Sequence, residues 1–259
     1  MVYDLKRYEL FGWDYEFHSP LTDAEVNWFA RYAEKAAGPA LALACGSGRL
    51  LVKLAERGFE VHGLDLCPAM LDLARERVDK ADPKVRSRIH LHRGDMTDFD
   101  LGRQFPLVFI ADNSFRELKT RDQLLACLHC IHRHLQPQGT FLLVERRFEP
   151  HRFPNGRREF CWSDPITNPK TGETIRRRGE LQYHAGTKTM TGTFFYKITQ
   201  PDGTETSEEC TFDAPILFKE DYLDLFTAAG FTARITVNYE DRADDGQSPY
   251  LCFLCRKKG

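Results

Sequence analysis

The stretch Leu41-Ala42-Leu43-Ala44-Cys45-Gly46-Ser47-Gly48-Arg49-Leu50 constrains this chain more than any other. It reads as a short buried strand that enters a tight glycine turn and passes directly into a helix. About twenty residues on, Val61-His62-Gly63-Leu64-Asp65 reads as a second apolar strand ending in an acid. Open α/β sheets hold nucleosides with this pairing. The glycines let backbone approach the ligand, helix N–H groups face it, and the acid accepts from ribose hydroxyls.

Two cofactors compete for such a turn. A dinucleotide calls for G-x-G-x-x-G, whose third glycine lets the helix close on a pyrophosphate. Here that third position is Leu51. A shorter turn suits a nucleoside with a small zwitterionic tail, such as S-adenosylmethionine (SAM).

Composition sets few limits. The 259 residues are enough for one large α/β domain with an insertion, and 42% hydrophobic with 29% charged residues is ordinary for a globular protein. A net charge of −2 predicts no general attraction to nucleic acid or to an anionic membrane. No apolar run reaches the roughly 18 residues of a membrane span, and Met1–Leu10 is too charged and aromatic for a signal peptide, so a cytoplasmic location is expected. Cys127 and Cys130 fall in a helical pattern, Cys252 and Cys255 in a strand pattern. Neither pair has the turn of a zinc knuckle, so packed core thiols are preferred over metal ligands despite nearby His129, His132 and His134.

Four segments follow along the chain. Residues 1–38 are an aromatic arm (Tyr3, Tyr8, Phe11, Trp13, Tyr15, Phe17), which either packs on an edge or covers a ligand, then a helix begun by Thr22 and Glu25. Residues 39–150 alternate strands (Phe59–Leu64, Arg88–His92, Pro106–Ala111, Thr140–Glu145) with helices, one opened by Pro68 and another by Thr120 and Gln123. Residues 151–216 show period-2 stretches and turn signals at Asn168–Gly172, Ala185–Lys188 and Pro201–Gly203, hence an inserted antiparallel β meander in which Arg176–Arg178 reads as an exposed face. Residues 217–259 return to a helix and two final strands, Phe231–Tyr239 and Pro249–Arg256. The expectation is α/β: a doubly wound, mostly parallel seven-stranded sheet with an antiparallel insertion.

The glycine turn resembles motif I of the class I SAM-dependent methyltransferases, L-D-L-x-C-G-x-G-R. One position departs: the family's strand acid, which orders the turn and the ligand's amino group, is Ala42 here. Asp65, Gly94-Asp95-Met96, Asp112-Asn113-Ser114, Leu135-Gln136-Pro137-Gln138-Gly139 and Ala228-Ala229-Gly230-Phe231 resemble later elements of the family in the same order. The arm and the run Val144–Pro150 are similar to those of aminosugar N,N-dimethyltransferases. That resemblance implies that SAM is held by Tyr3, Tyr15, Ala44, Cys45, Gly46, Ser47, Gly48, Arg49, Asp65, Leu66, Met70, Asp95, Met96, Asp112 and Asn113. Tyr8, Trp13, Ser114 and Arg116 are expected on the substrate, with the meander walling that side. Arg146 and Arg147 stand where that group tends to have aromatics, and are substrate candidates because they flank the C-terminal end of a parallel strand. Adjacent strand residues point to opposite faces, so at most one of Arg146 and Arg147 should reach a given ligand.

Methyl transfer from a sulfonium needs mainly alignment, and a base only if the nucleophile arrives protonated. Candidate bases are Asp112, Glu145, His18 and His151, with no metal expected. The reading is methyl transfer to a small molecule, nitrogen before oxygen, by an enzyme with no nucleic-acid or membrane partner that can pair as a homodimer. Its alternatives are a SAM-binding protein without transfer activity, which Ala42 keeps open, an NAD-dependent oxidoreductase, which Leu51 opposes, and a methyltransferase acting on RNA or protein.

Overall fold

A strand of four consecutive apolar residues has no polar face to offer water. Ala40–Leu43 (β1) is accordingly buried at every position, inside a sheet covered on both sides. The computed structural model describes residues 5–12, 20–168 and 170–258, so Tyr3, Trp13, Tyr15 and His18 lie outside the described residues.

Two bodies emerge. In residues 21–147 with 217–259, the strands after β1 are β2 (Val61–Asp65), β3 (Ile89–Arg93), β4 (Phe105–Ile110), β5 (Leu135–Arg146), β11 (Phe231–Val237), β12 (Glu240–Ala243) and β13 (Tyr250–Lys257), and their order is β12-β11-β13-β5-β4-β1-β2-β3. β1 to β5 pair in parallel, whereas β13 runs antiparallel to β5 and β11 to β13. All parallel strands therefore end on one edge, where open sheets place their ligands.

The helices of this body are α2 (Asp23–Ala36), α3 (Arg49–Glu56), α4 (Pro68–Asp79), α5 (Pro83–Arg86), α6 (Arg121–His134) and α7 (Lys219–Ala228), preceded in the chain by α1 (Lys6–Phe11) of the other body. Their starts follow local chemistry. The Thr22 hydroxyl accepts from Glu25 N at α2, Pro68 takes the first position of α4, and Thr120 and Gln123 form a reciprocal capping box at α6. Trp28, Phe29 and Ala33 of α2 pack with Ala42, Phe109, Leu142 and Val144 in the main core. Cys127, Cys130, Cys252 and Cys255 are buried thiols.

Two details differ from expectation. An eighth strand, β12, joins the sheet through the two-residue turn Asn238-Tyr239, both at positive φ (53° and 61°). That turn has no glycine after Asn238 and β12 is exposed at all four positions, so neither an Asn-Gly pair nor alternation announced it. β5 also begins at Leu135, not Thr140, with helix passing straight into strand. Pro137 pushes its predecessor out of helical geometry, and the chain is already extended at Leu135 (ψ 135°).

The second body joins α1 to the meander, with β6 (Arg157–Phe160), β7 (Ile166–Thr167), β8 (Thr174–His184), β9 (Thr189–Thr199) and β10 (Glu205–Pro215). Its strands pair antiparallel in the order β10-β9-β8-β6, with β7 also on β8. Ile175, Tyr196, Ile198 and Cys210 form its small core. Arg177 and Arg178 do not simply face solvent: their guanidinium groups lie 4.8 Å from the Phe194 ring and 3.8 Å from the Phe195 ring. Long side chains on a strand cover neighbouring aromatic faces while keeping the charge hydrated. No helix among the described residues is long and apolar enough to cross a membrane.

Candidate active site

The turn after β1 passes through the left-handed region at Ala44 (φ 51°), Gly46 (φ 56°) and Gly48 (φ 72°). Space is short as well as conformation. A Cβ at Gly46 would lie 3.3 Å from Met70 Cε, and one at Gly48 3.2 Å from Ala74 Cβ. Hydrogen bonds fix the loop: Cys45 N donates to Leu64 O, Gly48 N to Cys45 O, and Arg77 Nε to Ser47 O. The Gly48 cap makes no side-chain hydrogen bond, and a helix start of this kind suits an anionic group.

Asp65, at the end of β2, is 8% exposed and clamps this loop. Its Oδ2 accepts from Gly46 N at 2.7 Å and its Oδ1 from Cys67 N at 2.9 Å. A carboxylate has about four lone-pair sites, so each oxygen retains capacity for a ligand hydroxyl. Burial pushes the Asp65 carboxyl above its ordinary range, opposed by the backbone N–H groups of Cys67, Gly46 and Leu66.

One residue before the leucine that precedes Asp65, Gly63 lets the turn close on β2. A Cβ there would overlap Leu51 Cδ1 and lie 2.8 Å from Cys45 Sγ. Gly63→Ala should therefore destabilise the fold by about 1–3 kcal/mol, as overpacked cores do. A thermal melt checks this, and an unchanged melting temperature would show that the loop yields.

A second group forms where β4 ends. Asp112 (φ 58°) and Asn113 (φ 64°) turn the chain sharply, and Asp112 Oδ2 meets Arg49 Nη2 at 3.4 Å. Asn113 Oδ1 accepts from Arg146 N at 2.6 Å and from Arg116 Nη2 at 2.8 Å. Arg116 Nε donates to Glu145 Oε2 at 2.8 Å, and the Tyr222 hydroxyl donates to the same oxygen at 3.1 Å. Glu145 is fully buried, and its Oε1 has no hydrogen-bond partner among the described residues. Burial lifts its carboxyl to about 7 against the pull of Arg116 and Tyr222.

Glu25 completes the cluster. Only 7% exposed, it is lifted to about 7 by burial and by Asp112, with Tyr239 and Arg49 acting the other way. Sequence reasoning saw Glu25 as a helix-start residue. The missed signal was an acid inside an otherwise buried run with Val26, Trp28 and Phe29. Tyr222 and Tyr239 were missed too, because each meets its acid only through the tertiary fold.

The structure thus brings together Ala44–Arg49, Asp65, Met70, Asp112, Asn113, Arg116 and Glu145. Asp95 accepts from Thr97 N (2.8 Å) and Thr97 Oγ1 (2.7 Å) in a loop-holding turn, beside half-buried Met96. Leu66 is half-buried next to Asp65, and Ser114 opens a short 3₁₀ turn. The Arg146 side chain is exposed, whereas Arg147 is engaged by Asp244 and donates from Nε to Ser248 O at 2.9 Å. Tyr8, whose hydroxyl accepts from Arg7 at 2.7 Å, and exposed His151 belong to the meander body.

Comparison with known proteins agrees with this geometry. Residues 40–139 match the family described as a methyltransferase domain. The chain is 32% identical over 202 residues to the dTDP-3-amino-3,6-dideoxy-alpha-D-glucopyranose N,N-dimethyltransferase of Streptomyces fradiae, covering 78% of this chain and 72% of that one. Two solved structures share the fold. A S-adenosylmethionine-dependent methyltransferase from Clostridium acetobutylicum has TM-score 0.77 at 15% identity, covering 97% of this chain and 99% of that one. SAM-bound CalS10, an amino pentose methyltransferase from Micromonospora echinaspora, has TM-score 0.71 at 23% identity, covering 96% and 97%. With motif turn, acid and strand order in agreement, the chain belongs to the class I SAM-dependent methyltransferases.

Proposed function

We propose that this enzyme methylates an amine nitrogen of a small molecule, an aminosugar nucleotide being the favoured class. The observation that carries the reading is the junction at Asp112. There the cofactor turn, through Arg49, meets two buried acids near neutrality, Glu25 and Glu145. The names of the Streptomyces fradiae and Micromonospora relatives, both acting on amino sugars, support the substrate class.

When bound, SAM would supply an activated methyl group for in-line transfer to a nucleophile, with S-adenosylhomocysteine leaving as the neutral thioether. The chain's contribution is to hold and align. The Gly46–Gly48 backbone and the start of α3 take the tail, Asp65 takes the ribose hydroxyls, and Met70 and Met96 line the adenosyl group. Ala42, packed among Phe29 and Phe109, cannot offer the family's strand acid. Glu25 stands in for it, placing a carboxylate near Arg49 and Asp112 for the ligand's ammonium. Glu145 is too deeply enclosed to meet a substrate; it positions Arg116 and, through Asn113, the loop that borders substrate. Asp112 remains as acceptor for the ammonium proton of an incoming amine.

Mass spectrometry after incubation with SAM and aminosugar nucleotides tests this. A gain of one or two methyl groups on the amine, absent from the hydroxyl analogue, is expected; methylation of the hydroxyl analogue alone would replace nitrogen by oxygen.

Glu25 also makes a pH prediction. Its carboxyl is raised in the folded state, so folding takes up a proton between its unfolded value and about 7. Its contribution to stability is therefore present at acid pH and lost as pH rises through about 7. Glu25→Gln should flatten that decline in melting temperature. Above pH 7 it should also weaken SAM binding by roughly tenfold, because a neutral amide cannot form the charge-assisted hydrogen bond with the ligand's ammonium. An unaltered SAM affinity would return Glu25 to a packing role.

A further inference from the structure

We propose that Glu60, His62 and His90 form a binding site for a transition-metal cation of the zinc class, at the edge of the sheet and apart from the methyl-transfer site. His62 and His90 are paired across β2 and β3, which puts both side chains on the same face of the sheet, and Glu60 lies two residues before His62 on that face. Glu60 Oε1 is 3.2 Å from His62 Nε2 and 3.9 Å from His90 Nε2, and the three donor atoms all lie within 4.8 Å of one another. Zinc bonds of about 2.0–2.1 Å at tetrahedral angles would set such atoms about 3.3 Å apart, so small side-chain shifts suffice.

Two neighbours support the assignment. His92 Nε2 lies 3.0 Å from His62 Nδ1 with the two rings almost coplanar (4°). A proton held on His62 Nδ1 and donated to His92 leaves the His62 Nε2 lone pair for a cation, the outer-shell arrangement that orients metal-bound imidazoles. Arg103 Nη1 already brings positive charge to the same point, 3.4 Å from His62 Nε2 and 3.6 Å from Glu60 Oε1. Arg103 and His90 are each roughly half exposed, so the guanidinium can leave and the imidazole can adjust. With three protein ligands, the fourth position falls to water. The bound ion would tie β2 to the edge strand β3. His62 stands three residues from Asp65, about 10 Å along the strand, so this site does not depend on the methyl-transfer reading.

Titration of the full-length protein with Co(II), followed by displacement with Zn(II), tests the site. One equivalent should bind with visible bands of a four-coordinate ion and no thiolate charge-transfer band. His90→Ala, on an exposed side chain and with circular dichroism confirming the fold, should weaken binding at least tenfold. His92→Ala should weaken it roughly tenfold while keeping one equivalent. Arg103→Met should tighten it by removing the competing cation. Absence of Co(II) binding, a thiolate band that moves the ion to the cysteine pairs, or an affinity unchanged in His90→Ala would each overturn the proposal.

Discussion

Glu145→Ala should destabilise the protein by about 3–5 kcal/mol, whereas Arg116→Met should cost far less. The pair is asymmetric. Glu145 is completely buried, and the Arg116 side chain is 16% exposed. Removing the carboxylate strands a guanidinium that cannot give up its proton, and leaves Tyr222, also buried, without its acceptor. Removing the guanidinium leaves a carboxyl already raised to about 7, which can neutralise itself by binding a proton. Glu145→Gln should fall between the two. Denaturant melts of the three variants at pH 7 check the ranking. Equal losses for Glu145→Ala and Arg116→Met would mean that the pair acts by packing alone. Activity should fall with either change, because Asn113 loses its grip on Arg116 or on a correctly placed loop.

Asp65→Ala has the second large effect, and it acts on both binding and stability. The carboxylate serves two backbone donors inside the protein, so its loss takes an acceptor away from Gly46 N and from Cys67 N. That costs about 1–3 kcal/mol of folding stability. Loss of charge-assisted acceptance from ribose hydroxyls weakens SAM by a further 1–3 kcal/mol or so, roughly 5- to 150-fold. Asp65→Asn separates the two roles. One amide oxygen can still accept from one backbone N–H, so stability recovers in part while ribose binding stays weak. Calorimetric titration with SAM beside a thermal melt of each variant reads both. A normal SAM affinity in Asp65→Ala would place the ribose elsewhere.

How far the site could be read from sequence depends on how local its chemistry is. The glycine turn was legible because its constraint is conformational and complete within Ala44–Gly48: three positive φ values and two close approaches. Asp65 was legible because a strand that ends in an acid one crossover later points to the same edge by topology alone. The Arg116–Glu145–Tyr222 network was not. Its members stand 29 and 77 residues apart in the chain, and only the pairing of β4, β5 and the packing of α7 brings them to one place. Glu145 appeared in sequence as a possible base, and its burial recasts it as a positioning residue. Glu25 was hidden by a second role, since an acid at the start of a helix needs no further explanation. The same division holds for the fold. Buried parallel strands announce themselves by apolar runs, whereas the exposed β12 carries no period and follows a turn without glycine.

Methyl transfer by this chain requires that the turn at Ala44–Arg49 and Asp65 hold the adenosyl group. A crystal structure of the protein grown with S-adenosylhomocysteine tests that most directly. The ribose hydroxyls should lie within hydrogen-bond distance of both Asp65 oxygens, and the amino-acid tail against the Gly46–Gly48 backbone with its ammonium toward Glu25. Density for the nucleoside at any other edge of the sheet, with the turn empty, would contradict it.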